Sequence, residues 1–411
     1  MSDPLFLQFH TLTSYPGTLL NRDDAGFAKT LPFGNAKRTR VSSQCLKYHW
    51  RHHEGEHSLR DVTEMSVRSR HTFRQKIAAP LVEDGFSEES AAAVTYALSQ
   101  MVLNGETTKS EIRSNAKNAL GDNDPLSVTD LDRIVVFGEA EVEYIKSVAE
   151  EALEELGDEE FDSESEAQTS TAIYNVLRDR DLQSNLRALG NAMGLDAAMF
   201  GRMVTSDILA QGDAAVHVAH AITTHKQKSE NDYFTAVDEL QDDDTGGTES
   251  GAALIQSKEL TSGLFYGYVV VDVPLLVSNL EGCPREDWKD ADHELTKEVL
   301  RRFTKMLGVV SPGAKLSSTA PYSRSEFLMV ESGQVQPRTL ANAFKEAVEG
   351  DDLLEESVRA LTDYTDRIDG MYGKNEERAV ATIAQVDAPA DPTGIDEIAD
   401  NWIPNQIAVS S

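Results

Sequence analysis

Cysteine and positive charge are both scarce in this chain. Two cysteines, Cys45 and Cys283, occur among 411 residues. That is too few for the disulfide framework that holds small secreted domains together. No run of about 18 apolar residues occurs, so no membrane span and no membrane partner are expected. The opening MSDPLFLQF lacks a charged stretch followed by a long apolar one. No secretory leader is therefore expected, and a cytoplasmic location fits. A Gly-rich phosphate loop of the P-loop type is missing, as are a fixed-period repeat and a persuasive pairing of nucleophile with base. No bound cofactor or resident metal is expected.

Basic side chains number 38 against 70 acidic ones, a formal net charge of −32. One reading is a surface kept hydrated in a high-salt cytoplasm, where self-repulsion is screened. The other is an ordinary host with acid gathered in loops and helix faces, as in 149–166 and 241–250. Neither names a function, although the acidity leans towards salt adaptation.

Against this background residues 21–51 stand apart. They hold Arg22, Lys29, Lys37, Arg38, Arg40, Lys47 and Arg51, opposed only by Asp23 and Asp24. The segment carries +5, so the rest of the chain carries −37. A positive island on an acidic protein points to a polyanionic partner.

Hydrophobic periodicity places the island on elements. Leu5 to Thr13 reads as a strand, with Leu5, Leu7 and Phe9 on one face and Phe6, Gln8 and His10 on the other. Residues 21–35 read as loop, punctuated by Gly26, Pro32 and Gly34. Arg38 to Ser43 reads as a short strand that presents Arg38, Arg40 and Ser42 together. A helix follows, capped by Ser42 or Ser43. Gln44, Lys47 and Arg51 share one of its faces, and Leu46 and Trp50 share another. Cations converging on a helix N-terminus make a phosphate site. An N-capped helix with solvated basic residues is the simpler alternative.

Residues 60–200 read as largely helical, with an acidic loop at 157–168. A helix is predicted from Asp213 through AAVHVAHAITTH, burying Ala215, Val218, Ala219 and Ile222. A polar, Gly-bearing excursion over 226–262 comes next. Strands are predicted at Leu264–Asp272 and Phe327–Val330, and helices at 292–307, 339–348 and 352–368. From about residue 388 the tail reads as weakly structured. The order suits an α+β sheet domain carrying excursions.

Three motifs need weighing. His53-Glu54-Gly55-Glu56-His57 matches H-E-x-x-H, in which two histidines on one helical face hold zinc and Glu54 polarises a bound water. A zinc-dependent hydrolase is thus the alternative function. Gly55 weakens the helix that chemistry needs, and a polar loop after the basic helix is the simpler reading. Met203, in GRMVTSD, could wedge against a nucleobase or fill a core. Tyr233 and Phe234 could stack on bases, grip a neighbouring subunit or pack internally.

Six separated blocks go beyond local chemistry: HTLTSYPGTLLNRDD (10–24), RTRVSSQCLKYHWR (38–51), GRMVTSD (201–207), AHAITTHKQKSENDYFTAVDEL (219–240), ELTSGLFYGY (259–268) and TLANAFKEAV (339–348). In this order they resemble the backbone-subunit family of the type I-E CRISPR surveillance complex, the CasC type of Cascade. The resemblance is weakest in 60–200, in 241–256 and in the last thirty or so residues. It implies an α+β hand: a ferredoxin-like or RRM-like palm, a helical fingers insertion and a protruding thumb. The palm would be 1–59 with 200–225 and 263–380, the fingers 60–199, the thumb 226–262 and the C-terminal tail 381–411.

The same resemblance implies a non-enzymatic subunit that polymerises along CRISPR RNA and displaces a base at regular intervals. Its partners would be the guide, the target DNA strand paired to it, further copies of itself, and the large, small, guide-end-binding and guide-processing subunits. Arg22, Lys29, Ser42, Ser43, Gln44, Lys47 and Arg51 would contact the guide backbone, joining Arg38 and Arg40 from the local reading. Met203 would sit at the kink, with Thr205 and Ser206 close by, and Tyr233 and Phe234 in the thumb. Lys315 is a further candidate. Two features depart from the family pattern: Tyr48 stands where a basic residue is expected, and Asp242, Asp243 and Asp244 lie in the thumb.

Overall fold

The computed structural model describes residues 5–104, 124–157, 166–178, 182, 185–186, 193–202, 212–236, 254–313 and 316–408. The chain divides into two compact units. Residues 1–59, 216–274 and 293–411 form the first, and 60–215 with 275–292 form the second. The fold is α+β, with an antiparallel sheet and helices.

The first unit is organised by β1 (Phe6–Thr18), whose residues 7–10 are all buried. The sheet runs β11 (Glu376–Thr382), β10 (Phe327–Gly333), β1, β9 (Leu254–Asp272), β7 (Ala221–Thr223), β3 (Ala36–Val41) and β2 (Thr30–Phe33). Two more strands, β6 (Val216–Val218) and β8 (Ser229–Ala236), pair with β9. Among the described residues, every pairing between these strands is antiparallel.

Alternation along β1 divides its side chains between two covered faces. Phe9 meets Phe303 of the Glu294–Val309 helix edge-on at 6.2 Å, and Trp50 meets the same ring at 5.3 Å. On the opposite face Leu12, Tyr266 and Met329 join Leu340, Phe344, Val358 and Leu361 in one apolar cluster. Because both faces are buried, the sheet positions its loops and edges rigidly.

The second unit is mainly helical, with helices Glu88–Asn104, Glu139–Leu156 and Glu166–Arg178 around a core that includes Phe73, Phe137, Ile145 and Leu177. It also carries a two-stranded sheet, β4 (Val67–Ser69) with β5 (Val135–Phe137), which periodicity does not reveal. Residues 158–165 of the acidic stretch lie outside the described residues.

Four local expectations are corrected. The segment from Asp213 is not a helix, because Val216 and Val218 pair with Val271 and Val269, and Ile222 pairs with Tyr266. Pairing beside a long strand overrides a helical spacing of small residues. In the 226–262 excursion, Ser229–Ala236 and Leu254–Thr261 form a hairpin ladder. Only Ala341–Phe344 is helical within 339–348, as a 3-10 turn that drives Phe344 into the core. The tail beyond 388 is ordered into short helical turns between Ile395 and Ile407, burying Ile398, Ile403 and Ile407.

A charged network crosses the buried sheet. Glu331 lies opposite Gln8 of β1 and Arg378 of β11 and is fully buried. Its carboxylate accepts from His10 Nε2 at 3.1 Å, Arg338 at 2.8 Å and Arg378 Nε at 2.7 Å. Tyr266 donates its hydroxyl to His10 Nδ1 at 2.8 Å, which completes a neutral imidazole. Arg378 also chelates Asp369 of the Leu353–Tyr372 helix, so the network joins sheet to helix.

Burial alone would raise the Glu331 pKa, but the His10 hydrogen bond and Arg338 hold it well below the usual carboxylate range. Burial lowers the His10 pKa. Both folded values lie below their unfolded ones, so the unfolded chain binds more protons in acid. The stabilisation is present in full above the unfolded values, 6.5 for His10 and 4.5 for the glutamate. It is lost as pH falls from there through the lower folded values. Glu331→Gln is expected to cost about 3–5 kcal/mol at neutral pH in denaturant titration, because two guanidiniums lose the buried carboxylate they share, Arg378 keeping Asp369 and Arg338 keeping Glu376. It should also flatten the loss of stability on acidification. An unchanged denaturation midpoint would count against this account.

Candidate nucleic-acid interface

The basic island folds around α1 (Ser43–Arg51). Ser42 caps it: its backbone is extended, and its hydroxyl accepts the Cys45 N–H at 3.3 Å. Trp50 is buried against Phe303 and fixes the inner face, with Leu46 half-buried. Gln44, Tyr48 and His52, one turn apart, are exposed, and Lys47 and Arg51 beside them are half-buried.

The preceding loop folds back towards this helix. Arg22 is exposed and bridges to Ala28, whose N–H donates to Glu259 at 2.8 Å. Asp23 turns its carboxylate onto the Phe27 N–H at 2.9 Å, so one of the two local acids serves the loop backbone. Lys29 N–H donates to the Asn21 carbonyl, and Arg40 N–H donates to the Lys29 carbonyl at 2.8 Å. Lys29 and Arg40 thus lie on hydrogen-bonded neighbouring segments.

Both cations act on the first turn of α1. Ser43 N–H donates to His220 Nδ1 at 2.9 Å, which requires an unprotonated Nδ1. Burial lowers the His220 pKa, and the charges of Arg40 and Lys29 lower it further. Burial raises the Cys45 thiol while Lys29 opposes that shift. Lys29, Arg40 and His220 therefore gather at the positive end of α1, an arrangement suited to an anion with several oxygens.

His220 had no signature as a site residue. It arrives from the segment between β6 and β7, about which helical spacing is misleading. His49 was also missed. Its Nδ1–H donates to the Cys45 carbonyl at 2.8 Å, and its Nε2 accepts the Gly313 N–H at 3.2 Å. That contact ties α1 to the loop before Ala314, and no sequence spacing links the two.

Arg38 is a correction. It shares a strand face with Arg40, as alternation predicts, but that face is covered at Arg38, which has no solvent exposure. Its guanidinium donates to the carbonyls of Thr223 at 3.1 Å, Thr224 at 2.6 Å and Phe344 at 2.7 Å. It cannot reach a phosphate without breaking these bonds. Ser42 is corrected in part: its hydroxyl serves the cap, and its N–H donates to Asn21 Oδ1 at 3.0 Å. Met203, Thr205, Ser206, Lys315 and Asp242–Asp244 lie outside the described residues. The flanks of 203–211 are bridged at Arg202 and Gly212, and Arg202 pairs with buried Glu141 at 2.5 Å. Tyr233 and Phe234 stand on β8 opposite Ser257 and Gln256.

The zinc reading fails on geometry. Helix α1 ends at Arg51 with His52 as its C-cap, so His53 and His57 do not share a helical face. Gly55 takes a positive φ of 152°, and Arg302 holds the Glu56 and Ser58 carbonyls. Among the described residues no group of three or more His, Cys, Asp or Glu side chains is placed to hold a metal ion.

A family described as CT1975-like protein matches residues 7–403. Two solved structures share the fold. One, described as "CRISPR RNA-guided surveillance complex, pre-nicking", aligns with a TM-score of 0.70 at 22% identity over 98% of this chain and 100% of that chain. The other, "CRISPR RNA-guided surveillance complex", aligns with a TM-score of 0.60 at 21% identity, covering 97% of this chain and 99% of that one. No curated protein matches the sequence.

The two arginines of β3 should respond differently to substitution. Arg38→Ala removes three charge-assisted hydrogen bonds, each worth about 1.5–3 kcal/mol. It is expected to lower the unfolding midpoint strongly. Arg40→Ala, half-buried, should leave thermal unfolding nearly unchanged. Equal melting temperatures for the two variants in differential scanning calorimetry would refute the assignment.

Proposed function

We propose, since the chain belongs to the CT1975-like protein family, that it is a CRISPR-RNA-binding backbone subunit of a type I-E, Cascade-type surveillance complex. Copies polymerise along the guide and present it in segments for pairing with target DNA. The observation that carries this reading is the convergence of Lys29, Arg40 and His220 on the first turn of α1, with Lys47 and Arg51 further along the same helix. The resemblance of six sequence blocks and the likeness of fold to chains from surveillance complexes support it.

In this reading the sheet unit is an RRM-like palm and residues 60–199 are the fingers. The β8–β9 hairpin is the base of a thumb that folds over a guide held by the next copy. The role is binding and presentation, without catalysis by this subunit. Guide sequences vary, so the grip must fall on phosphates and base faces rather than base edges. Sequence is then read by guide–target pairing. Arg22, Lys29, Arg40, Ser43, Gln44, Lys47 and Arg51 make up the backbone-facing set. Arg38 acts from behind them, by holding β3 in place. The large, small, guide-end-binding and guide-processing subunits would complete the assembly.

Two measurements test this. Purification from cells that hold a CRISPR array, with sequencing of co-purifying RNA, should recover guide-derived RNA. Lys47→Ala combined with Arg51→Ala should weaken guide binding alike for unrelated guides. It should also reduce the salt dependence by about 0.7 in log–log slope for each phosphate that is no longer neutralised. A defect confined to particular guide sequences would contradict the proposal.

A further inference from the structure

We propose that Tyr48 and His52 form a nucleobase-stacking platform on α1, beside the cations Lys47 and Arg51. This rests on the RNA-binding reading above and adds to it a contact of different chemistry. A lone exposed tyrosine on a helix needs no explanation. This one is built differently. Tyr48 is 54% exposed, and its ring stacks on the His52 ring with centroids 4.2 Å apart and planes inclined by 28°.

The pair is held in place. The Tyr48 carbonyl accepts from His52 twice, from the backbone N–H at 3.1 Å and from Nδ1–H at 2.8 Å. His52 therefore cannot swing away without losing a hydrogen bond. His49 also meets Tyr48 edge-on at 5.4 Å and 81°, and His49 is itself fixed between the Cys45 carbonyl and the Gly313 N–H. Two tethered imidazoles thus contact the Tyr48 ring, which remains largely exposed. A surface ordered before its ligand arrives loses little conformational freedom on binding.

Position supplies the ligand class. Gln44, Tyr48 and His52 form the exposed stripe of α1, and Lys47 and Arg51 form the half-buried stripe beside it. Cations alternating with exposed rings suit single-stranded nucleic acid, because the cations follow the phosphates while any base can lie on a ring. A ring in this place adds a contact that carries no charge to the salt-sensitive ones beside it.

The test measures binding of the full chain to oligoadenylate by fluorescence anisotropy across a salt series. Tyr48→Ala should weaken binding about five- to hundredfold while leaving the log–log salt slope unchanged. Tyr48→Phe, which keeps the ring, should bind like the unsubstituted protein. Lys47→Ala should instead reduce the slope. If Tyr48→Ala binds normally while Lys47→Ala with Arg51→Ala is impaired, the platform is wrong and the RNA-binding reading survives. If neither variant changes binding, both fall. Ultraviolet crosslinking of oligoadenylate to the unsubstituted chain gives an independent readout. Adducts at Tyr48 support the platform, and adducts found only elsewhere overturn it.

Discussion

The buried guanidinium of Arg38 is the constraint on which the basic surface depends. It gathers carbonyls from Thr223, Thr224 and Phe344 onto one cation, so β3 is fixed against two distant stretches of chain. The β2–β3 turn is held as well. Asn35 N–H donates to the Lys345 carbonyl, and Asn35 Oδ1 accepts from Ala347. Gly34 sits where a Cβ would come within 1.6 Å of the Lys345 oxygen, so this approach needs glycine. With β3 immobile, Arg40 and the Ser42 cap have defined positions, and the first turn of α1 inherits them. Phosphate recognition of this kind needs such support, because a loosely held cation binds weakly.

Much of this was legible where local chemistry decides structure. The capping serine, the apolar pair Leu46 and Trp50, and the polar stripe fixed α1 and its orientation, because a nine-residue helix is governed by its cap and one buried face. Strand β1 was readable from alternation. The failures share a cause. AAVHVAHAITTH satisfies helical spacing because it is rich in alanine, yet its Val and Ile residues extend beside β9, whose pairing groups offer more than a helix could. Arg38 was misread because alternation says which residues share a face and nothing about what covers it. The cover comes from residues 223–224 and 344, far off in sequence. The tail was misread because its Pro and Asp residues read as breakers, while Ile398, Ile403 and Ile407, which dock it, follow no single period.

The site also shows how an acidic protein keeps a cationic face. Local acids are used structurally: Asp23 closes a turn, and Glu259 holds Ala28 N–H in place. Burial and the charges of Arg40 and Lys29 hold the His220 pKa down, so Lys29 and Arg40 supply the positive charge at the first turn of α1. With −37 distributed over the remainder of the chain, long-range attraction to the proposed RNA partner would be weak, and binding would have to come from short-range contacts where cations converge. Under the proposed function, an acidic chain with a basic segment would disfavour indiscriminate association while permitting a grip on a single thread of phosphates.

That balance explains why an aromatic pair belongs among the cations. Each phosphate contact weakens as counterions become more concentrated, and at about 1 M salt charges are screened beyond some 3 Å. Stacking on a ring has no such dependence. A surface built only of Lys and Arg would lose its hold in a saline medium, which is the setting the overall acidity suits. In the proposed arrangement, Tyr48 stacked with His52 beside Lys47 and Arg51 would divide the grip into a charged part that finds the backbone and an uncharged part that holds it. The two parts share one helix, whose first turn is fixed by Ser42, His220 and, through β3, by Arg38.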